Sequence, residues 1–192
     1  AVTHVTAGYQ STHSHFCVSV ATDVSSSHSP VHCWGYNNYG MLGDDTRTAS
    51  YTTVVATVWP ADSDAHTVTS LSCGQWACCA VANKLAWCWG NPANGILGNN
   101  VASGTFNKPT RVTLGGDAWT EEMAQVAVGN THACARSVAG KAYCWGYNNY
   151  GQLGDGTATQ RLEPVEVQGL TGGVTQIAVS SATDATGSKS CA

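Results

Sequence analysis

Residues 144–157 read C-W-G-Y-N-N-Y-G-Q-L-G-D-G-T, and residues 33–46 read C-W-G-Y-N-N-Y-G-M-L-G-D-D-T. A degraded third copy starts at Cys88, C-W-G-N-P-A-N-G-I-L-G-N-N. The first glycines of the copies, Gly35, Gly90 and Gly146, lie 55 and then 56 residues apart. A fixed period of about 50 residues marks supersecondary units that bury their apolar faces on one another. The 192 residues would suffice for one or two ordinary domains, but the repetition argues for one continuous array. The repeats divide the chain at residues 1–68, 69–123 and 124–173, and a fourth begins over 174–192.

Within each repeat the local pattern is that of short strands. Residues 51–59, Y-T-T-V-V-A-T-V-W, are rich in β-branched and aromatic side chains and predict a strand that Pro60 ends; residues 62–66 read as a turn. If Cys79 faces Cys88, then Ala82 faces Leu85 and Asn83-Lys84 forms a two-residue turn, where Asn tolerates positive φ. If Cys134 faces Cys144, then Ser137 faces Lys141, leaving a three-residue loop that ends in Gly140. Pro109, just after the second glycine motif, suits a strand start or an edge. The Ser/Thr-rich residues 22–30 lack apolar content and predict an exposed loop. No segment of useful length has helical periodicity, so the chain is expected to be all-β.

Nine cysteines are many for a reducing compartment, and their placement says more than their number. In each repeat one Cys precedes a hairpin and another opens the C-W-G motif. This register predicts the disulfides Cys17–Cys33, Cys79–Cys88 and Cys134–Cys144 and an oxidising, extracellular setting. Each would close a loop of about 10 to 17 residues, worth roughly 2.5–3 kcal/mol on the chain-entropy model. Buried thiols in a cytosolic core are the alternative, disfavoured because chance does not put cysteines in register. Cys73 and Cys78 are left over on either side of Gly74 and are candidates to pair with each other. There is no C-x-x-C pair, so zinc is not expected.

Charged residues make up only 10% of the chain, against ~25% in a typical domain, so the surface must be mostly hydroxyl, amide and backbone groups. A net charge of −4 with no basic cluster gives no electrostatic footprint for nucleic acid. No apolar run is long enough to predict a membrane-spanning helix. The chain starts at Ala1, which suggests either a removed signal segment or an excerpt from a longer chain.

The unit V-G-N-T-H-A-C-A…G-K-A-Y-C-W-G-Y-N-N-Y-G-Q-L-G-D-G-T…E-P-V-E-V resembles the repeat of the regulator of chromosome condensation family. It is most similar to the cysteine-bearing versions found in secreted and bacterial proteins. The resemblance covers nearly the whole chain. Repeat two departs from it, with Gln75-Trp76-Ala77-Cys78 in place of N-T-H-A and Asn99-Asn100 in place of Asp-Gly. The resemblance implies β-propeller blades, usually seven to a ring, and a non-catalytic platform. Some members of the family bind small GTPases, and one similar bacterial propeller inhibits β-lactamases. Three repeats and the first strands of a fourth would not close such a ring. Open ends would leave strand edges and apolar faces that invite association.

The recurring Trp34, Trp89 and Trp145 are expected to act as core spacers between blades. Gly40 and Gly43, like Gly151 and Gly154, bracket a core-type leucine (Leu42, Leu153). Asn148 and Asn149 suit side-chain-to-backbone turn bonds. Cys191 is in register with Cys17, Cys79 and Cys134 but has one residue after it. Its partner is therefore expected outside this chain, in a further repeat or a neighbouring subunit; Cys73 or Cys78 could serve only if the ends of the array met. Residues 174–192 are read as the start of a shared or truncated blade.

For catalysis the chain offers neither a G-x-S-x-G elbow nor an H-E-x-x-H helix, and no catalytic residue or cofactor is expected. His13, His15, His28 and His32 invite a metal reading, but His32 lies opposite Val18 and points away from His13, His15 and Cys17. Solvated or loop histidines are the expected reading, and His132 is expected to be a hydrogen-bonded structural residue. Asp62-Ser63-Asp64 is too short for a calcium loop. No N-linked sequon is present, and the Ser/Thr content would permit O-linked glycan. Tyr36, Tyr39, Tyr147 and Tyr150 are candidate surface contacts, the alternative being that each packs on the adjacent blade. The expected function is an extracellular, structural, self-assembling and filament-forming module. A partner-binding or inhibitory propeller excerpted from a longer chain is the alternative; an enzyme or lectin is the weakest reading.

Overall fold

The computed structural model describes residues 1–9, 14–21, 30–60, 67–180 and 189–192. Blade 1 is the antiparallel sheet β1 (Val2–Gly8), β2 (His15–Val20), β3 (Val31–Gly35) and β4 (Ser50–Ala56), paired in that order. Blade 2 is β5 (Val68–Cys73), β6 (Ala77–Ala82), β7 (Leu85–Gly90) and β8 (Phe106–Arg111). A small hairpin, β9 (Thr113–Leu114) and β10 (Asp117–Ala118), precedes blade 3. That blade is β11 (Met123–Val128), β12 (His132–Ser137), β13 (Ala142–Gly146) and β14 (Arg161–Glu166). The start of a fourth pairs β15 (Ala178–Val179) with β16 (Ser190–Cys191). The fold is thus all-β, built of propeller blades, and the ring is open within the described residues.

Each blade is a sheet with two apolar faces, set by the period-2 alternation of its strands. In β2, His15, Cys17 and Ser19 are buried while Phe16, Val18 and Val20 are more open. The Cys side of a blade packs on the Trp side of the next. Between blades 1 and 2, Cys33 and Leu42 meet Leu71, Ala80 and Trp89. Between blades 2 and 3, Cys88 and Leu97 meet Val126, Ala135 and Trp145.

The expected hairpins are present. Ala82 lies opposite Leu85, and Asn83 and Lys84 take φ of 50° and 64°, the paired positive values of a type I′ turn. Ser137 N–H donates to Lys141 O at 2.9 Å, and Gly140 has φ 80°.

The expected strand over residues 51–59 stops earlier, at Ala56. Thr57 N–H still bonds Val31 O, but Val58 N–H turns to Gly43 O at 2.7 Å. The same exit recurs as Thr113 N–H to Gly98 O and Gln168 N–H to Gly154 O. The fourth strand of each blade therefore leaves the ladder to tie down its own glycine loop. Pro109 lies inside β8, and Pro164 inside β14, which their edge position tolerates. The turn read over 62–66 and loop residues 22–29 lie outside the described residues, as do His13, His28 and Asp62-Ser63-Asp64.

Candidate functional site

The glycine loops join one blade to the next. The indole N–H of Trp89 donates to Met41 O at 2.8 Å in the loop of blade 1. Trp145 repeats the bond to Ile96 O of blade 2 at 2.7 Å. Gly43 and Gly98 make room for these rings: a Cβ there would stand 3.0 and 2.8 Å from the indole nitrogens of Trp89 and Trp145. Both also take positive φ, so a side chain would be strained as well as crowded. Trp34 departs from the core-spacer expectation. No blade precedes it among the described residues; it is half-buried and stacks on Phe16 with ring centroids 5.7 Å apart.

In the loops of blades 1 and 3 one asparagine does the work expected of a pair. Asn148 Nδ2 donates to Asp155 Oδ1 (3.0 Å), Thr157 O (3.1 Å) and Thr159 O (3.0 Å), while its Oδ1 accepts from Leu153 N–H (3.0 Å). Asn37 repeats the clasp in blade 1 with Asp44, Thr46, Thr48 and Leu42. Asn149 is exposed and is not part of it. Pro92 takes the clasp position in blade 2, where a 3-10 turn over Ala93–Gly95 forms instead. Burial alone would raise the Asp155 carboxyl, but hydrogen bonds from Thr157, Arg161 and Asn148 outweigh it and hold the group below its ordinary value.

The structure joins Cys17 to Cys33, Cys79 to Cys88 and Cys134 to Cys144, each across a directly opposed β2–β3-type pair. Cys73 is bonded to Cys78, and Cys191 is free and exposed. Beside Cys191 a cavity of about 450 Å³ opens between blade 3 and the half-blade, lined by Cys134, Cys144, Gln152, Leu153 and Ser190 among others. Gln152 O is the counterpart of Met41 O and Ile96 O. Here it accepts from Ser190 Oγ at 3.0 Å rather than from a tryptophan.

His15 corrects the solvated reading: it is fully buried, because the Cys17 side of β2 is the side blade 2 covers. His32, on the opposite side, is half-buried. His132 is buried, and its Nε2 lies 2.8 Å from Ser190 Oγ. Burial lowers both His15 and His132 to about 4, so both imidazoles are neutral near pH 7. The His132–Ser190 pair is not arranged as base and nucleophile. The Ser190 hydroxyl gives its proton to Gln152 O, so it accepts from His132 Nε2–H, and His132 Nδ1 has no partner among the described residues to orient the ring.

The four tyrosines are not equivalent. Tyr39 packs edge-on against Trp76 of blade 2, with centroids 5.3 Å apart. Tyr36 and Tyr147 are half-buried, whereas Tyr150 is 60% exposed at the rim of the cavity. Among the described residues no helix is long and apolar enough to cross a membrane.

A sequence profile of the Regulator of chromosome condensation (RCC1) repeat matches residues 139–182, and a second profile of the same description matches residues 123–152. These are RCC1 repeats. The human probable E3 ubiquitin-protein ligase HERC3 is 36% identical over 105 residues, covering 54% of this chain. The chain spans 10% of that relative's length. Human WBSCR16 superposes with a TM-score of 0.69 at 21% identity, over 86% of this chain and 40% of that one. Yeast RCC1 (Prp20), solved with Kap60, gives 0.66 at 22% identity, over 92% and 39%. These structures share the propeller fold of this chain, which is open at three blades and a half-blade within the described residues.

Proposed function

We propose that this chain is a non-catalytic protein-binding platform whose blades associate end to end, one copy on the next. The observation that carries this reading is the uncovered Trp side of blade 1. Among the described residues, Val2, Val5, Tyr9, Phe16, Tyr39, Tyr51, Val54 and Val58, all within residues 1–60, are exposed, against only Leu114, Val138 and Tyr150 elsewhere. Val5, Phe16, Trp34 and Val54 occupy the side that blades 2 and 3 bury on a neighbour. An apolar face of this kind is a docking surface. The opposite end, with Leu153 and the cavity beside Cys191, offers a different surface, so the contact is heterologous, and it builds an open filament when its rotation does not close a ring. Sedimentation of the 192-residue chain tests this. Species that grow with concentration, and that Phe16→Glu together with Trp34→Glu disperses, are expected; a monomer at every concentration overturns it.

A second reading is favoured by Tyr150, the most exposed of the four loop tyrosines. The loop rim would then hold another protein, as the solved complex of yeast Prp20 with Kap60 encourages for this fold. The cysteine register supports an oxidising, extracellular location. A thiol count on native material checks that reading: one reactive thiol, Cys191, is expected, and nine would place the chain in a reducing compartment.

A further inference from the structure

The interface between blades 1 and 2 gathers groups that no local motif announces. His15 comes from β2, Cys73 from the end of β5 and Cys78 from β6, and all three are buried. Their ligand atoms lie within 4.8 Å of one another, and His15 Nε2 is 3.3 Å from Cys78 Sγ. Cys17 Sγ stands 3.9 Å from Cys78 Sγ. His15 Nδ1 has no hydrogen-bond partner among the described residues. Gly8 is what admits the ring: a Cβ there would stand 2.1 Å from His15 Cε1.

The next interface is an internal control. By register, the positions of His15, Cys73 and Cys78 become Ala77, Val128 and Ala133 between blades 2 and 3, and all three are buried. The fold therefore closes this spot with small apolar side chains and does not need an imidazole and two sulfurs to do so. Borderline-soft d10 ions such as Zn²⁺ are held by neutral imidazole and thiolate, and four-coordinate sites are the rule when they are structural.

We propose that His15, Cys73 and Cys78 form a redox-gated site for a thiophilic cation such as Zn²⁺, with Cys17 as the fourth ligand when its own disulfide is open. In the oxidised chain the Cys73–Cys78 bond occupies the sulfurs. A dithiol reductant opens it: two electrons and two protons convert the disulfide to two thiols, and the dithiol leaves as its own disulfide. Zn²⁺ then binds the two sulfurs and His15, and the two thiol protons are released. The ligands come from two blades, so the ion joins as those blades pack and ties them together.

The test uses the full chain, reduced with a phosphine, refolded with Co²⁺ or Zn²⁺ and desalted. The variant His15→Ala/Cys73→Val/Cys78→Ala installs the side chains that the blade 2–3 interface already packs, so it is expected to fold. The reduced parent is expected to retain one equivalent of metal, with Co²⁺ giving a thiolate charge-transfer band, and to melt higher with metal than without. The variant is expected to lose the band and to bind more than about a hundred-fold more weakly, at least the loss that follows removal of an outer-shell partner. The oxidised parent is expected to bind none. Failure of the reduced parent to retain metal, or retention by the variant equal to the parent's, overturns the proposal.

Discussion

At the scale of single residues, buried polar groups decide how the molecule responds to pH and to substitution. His15 and His132 are lowered by burial from 6.5 to about 4. A depressed histidine leaves stability unaffected above the unfolded value and erodes it as pH falls, because the unfolded chain takes up the proton first. Stability is thus expected to be flat above pH 6.5 and to drop between pH 6.5 and 4, by roughly 2 kcal/mol per histidine at pH 5. Urea midpoints across that range check this, and His132→Gln should remove about half of the slope. Asn148→Ala tests the loop clasp. Losing a side chain that bonds Asp155, two backbone carbonyls and the Leu153 amide should cost more than about 2 kcal/mol in denaturant unfolding. Asn149→Ala, exposed one residue on, should be within about 0.5 kcal/mol of neutral. The repeated N-N pair marked the turn in the sequence; which Asn turns inward depends on the neighbouring threonine carbonyls, and that is tertiary.

At the scale of strands and loops, period-2 alternation and turn chemistry made the hairpins legible, since both are local: opposing Cys79 with Cys88 was enough to locate Asn83-Lys84. What stayed hidden is what one blade does to the next. Trp34, Trp89 and Trp145 occupy one sequence position yet differ in burial, because among the described residues only the latter two have a neighbouring blade's loop to enter. The strand after Cys33 ends early for a similar reason: its amides are claimed by the glycine loop. Cys73 and Cys78 could be paired across Gly74 from the sequence, but His15 comes from another blade, so no spacing rule could bring it to them. The tryptophans make the point testable. Trp145→Ala removes a fully buried ring and the bond to Ile96 O and should cost about 3–5 kcal/mol. Trp34→Ala should cost under about 1.5 kcal/mol in the isolated chain, because its face is open. Equal losses for the two would mean that Trp34 is covered in solution, which points to association rather than to a flaw in the packing argument.

At the scale of the whole molecule, a stack of blades that touch only their neighbours has stability distributed along the array, so its parts need not open together. Blade 2 is covered on both sides, and every residue of β6 is buried. By contrast, β1 is mostly exposed or half-buried, and β15 and β16 are two-residue strands with little buried surface. Amide hydrogen exchange should therefore be slowest in β6 and β7, slower in blade 3 than in blade 1, and fastest in β1, β15 and β16. The same measurement at rising protein concentration reads out the proposed filament. End-to-end contact covers β1 and the half-blade at once, so their amides should slow together while β6, already closed off, stays unchanged. Slowing at β1 alone would signal a symmetric contact between two blade 1 faces, and the assembly would close as a dimer. If neither end responds while the chain remains monomeric, end-to-end association fails and the reading that places a partner at the Tyr150 rim takes precedence.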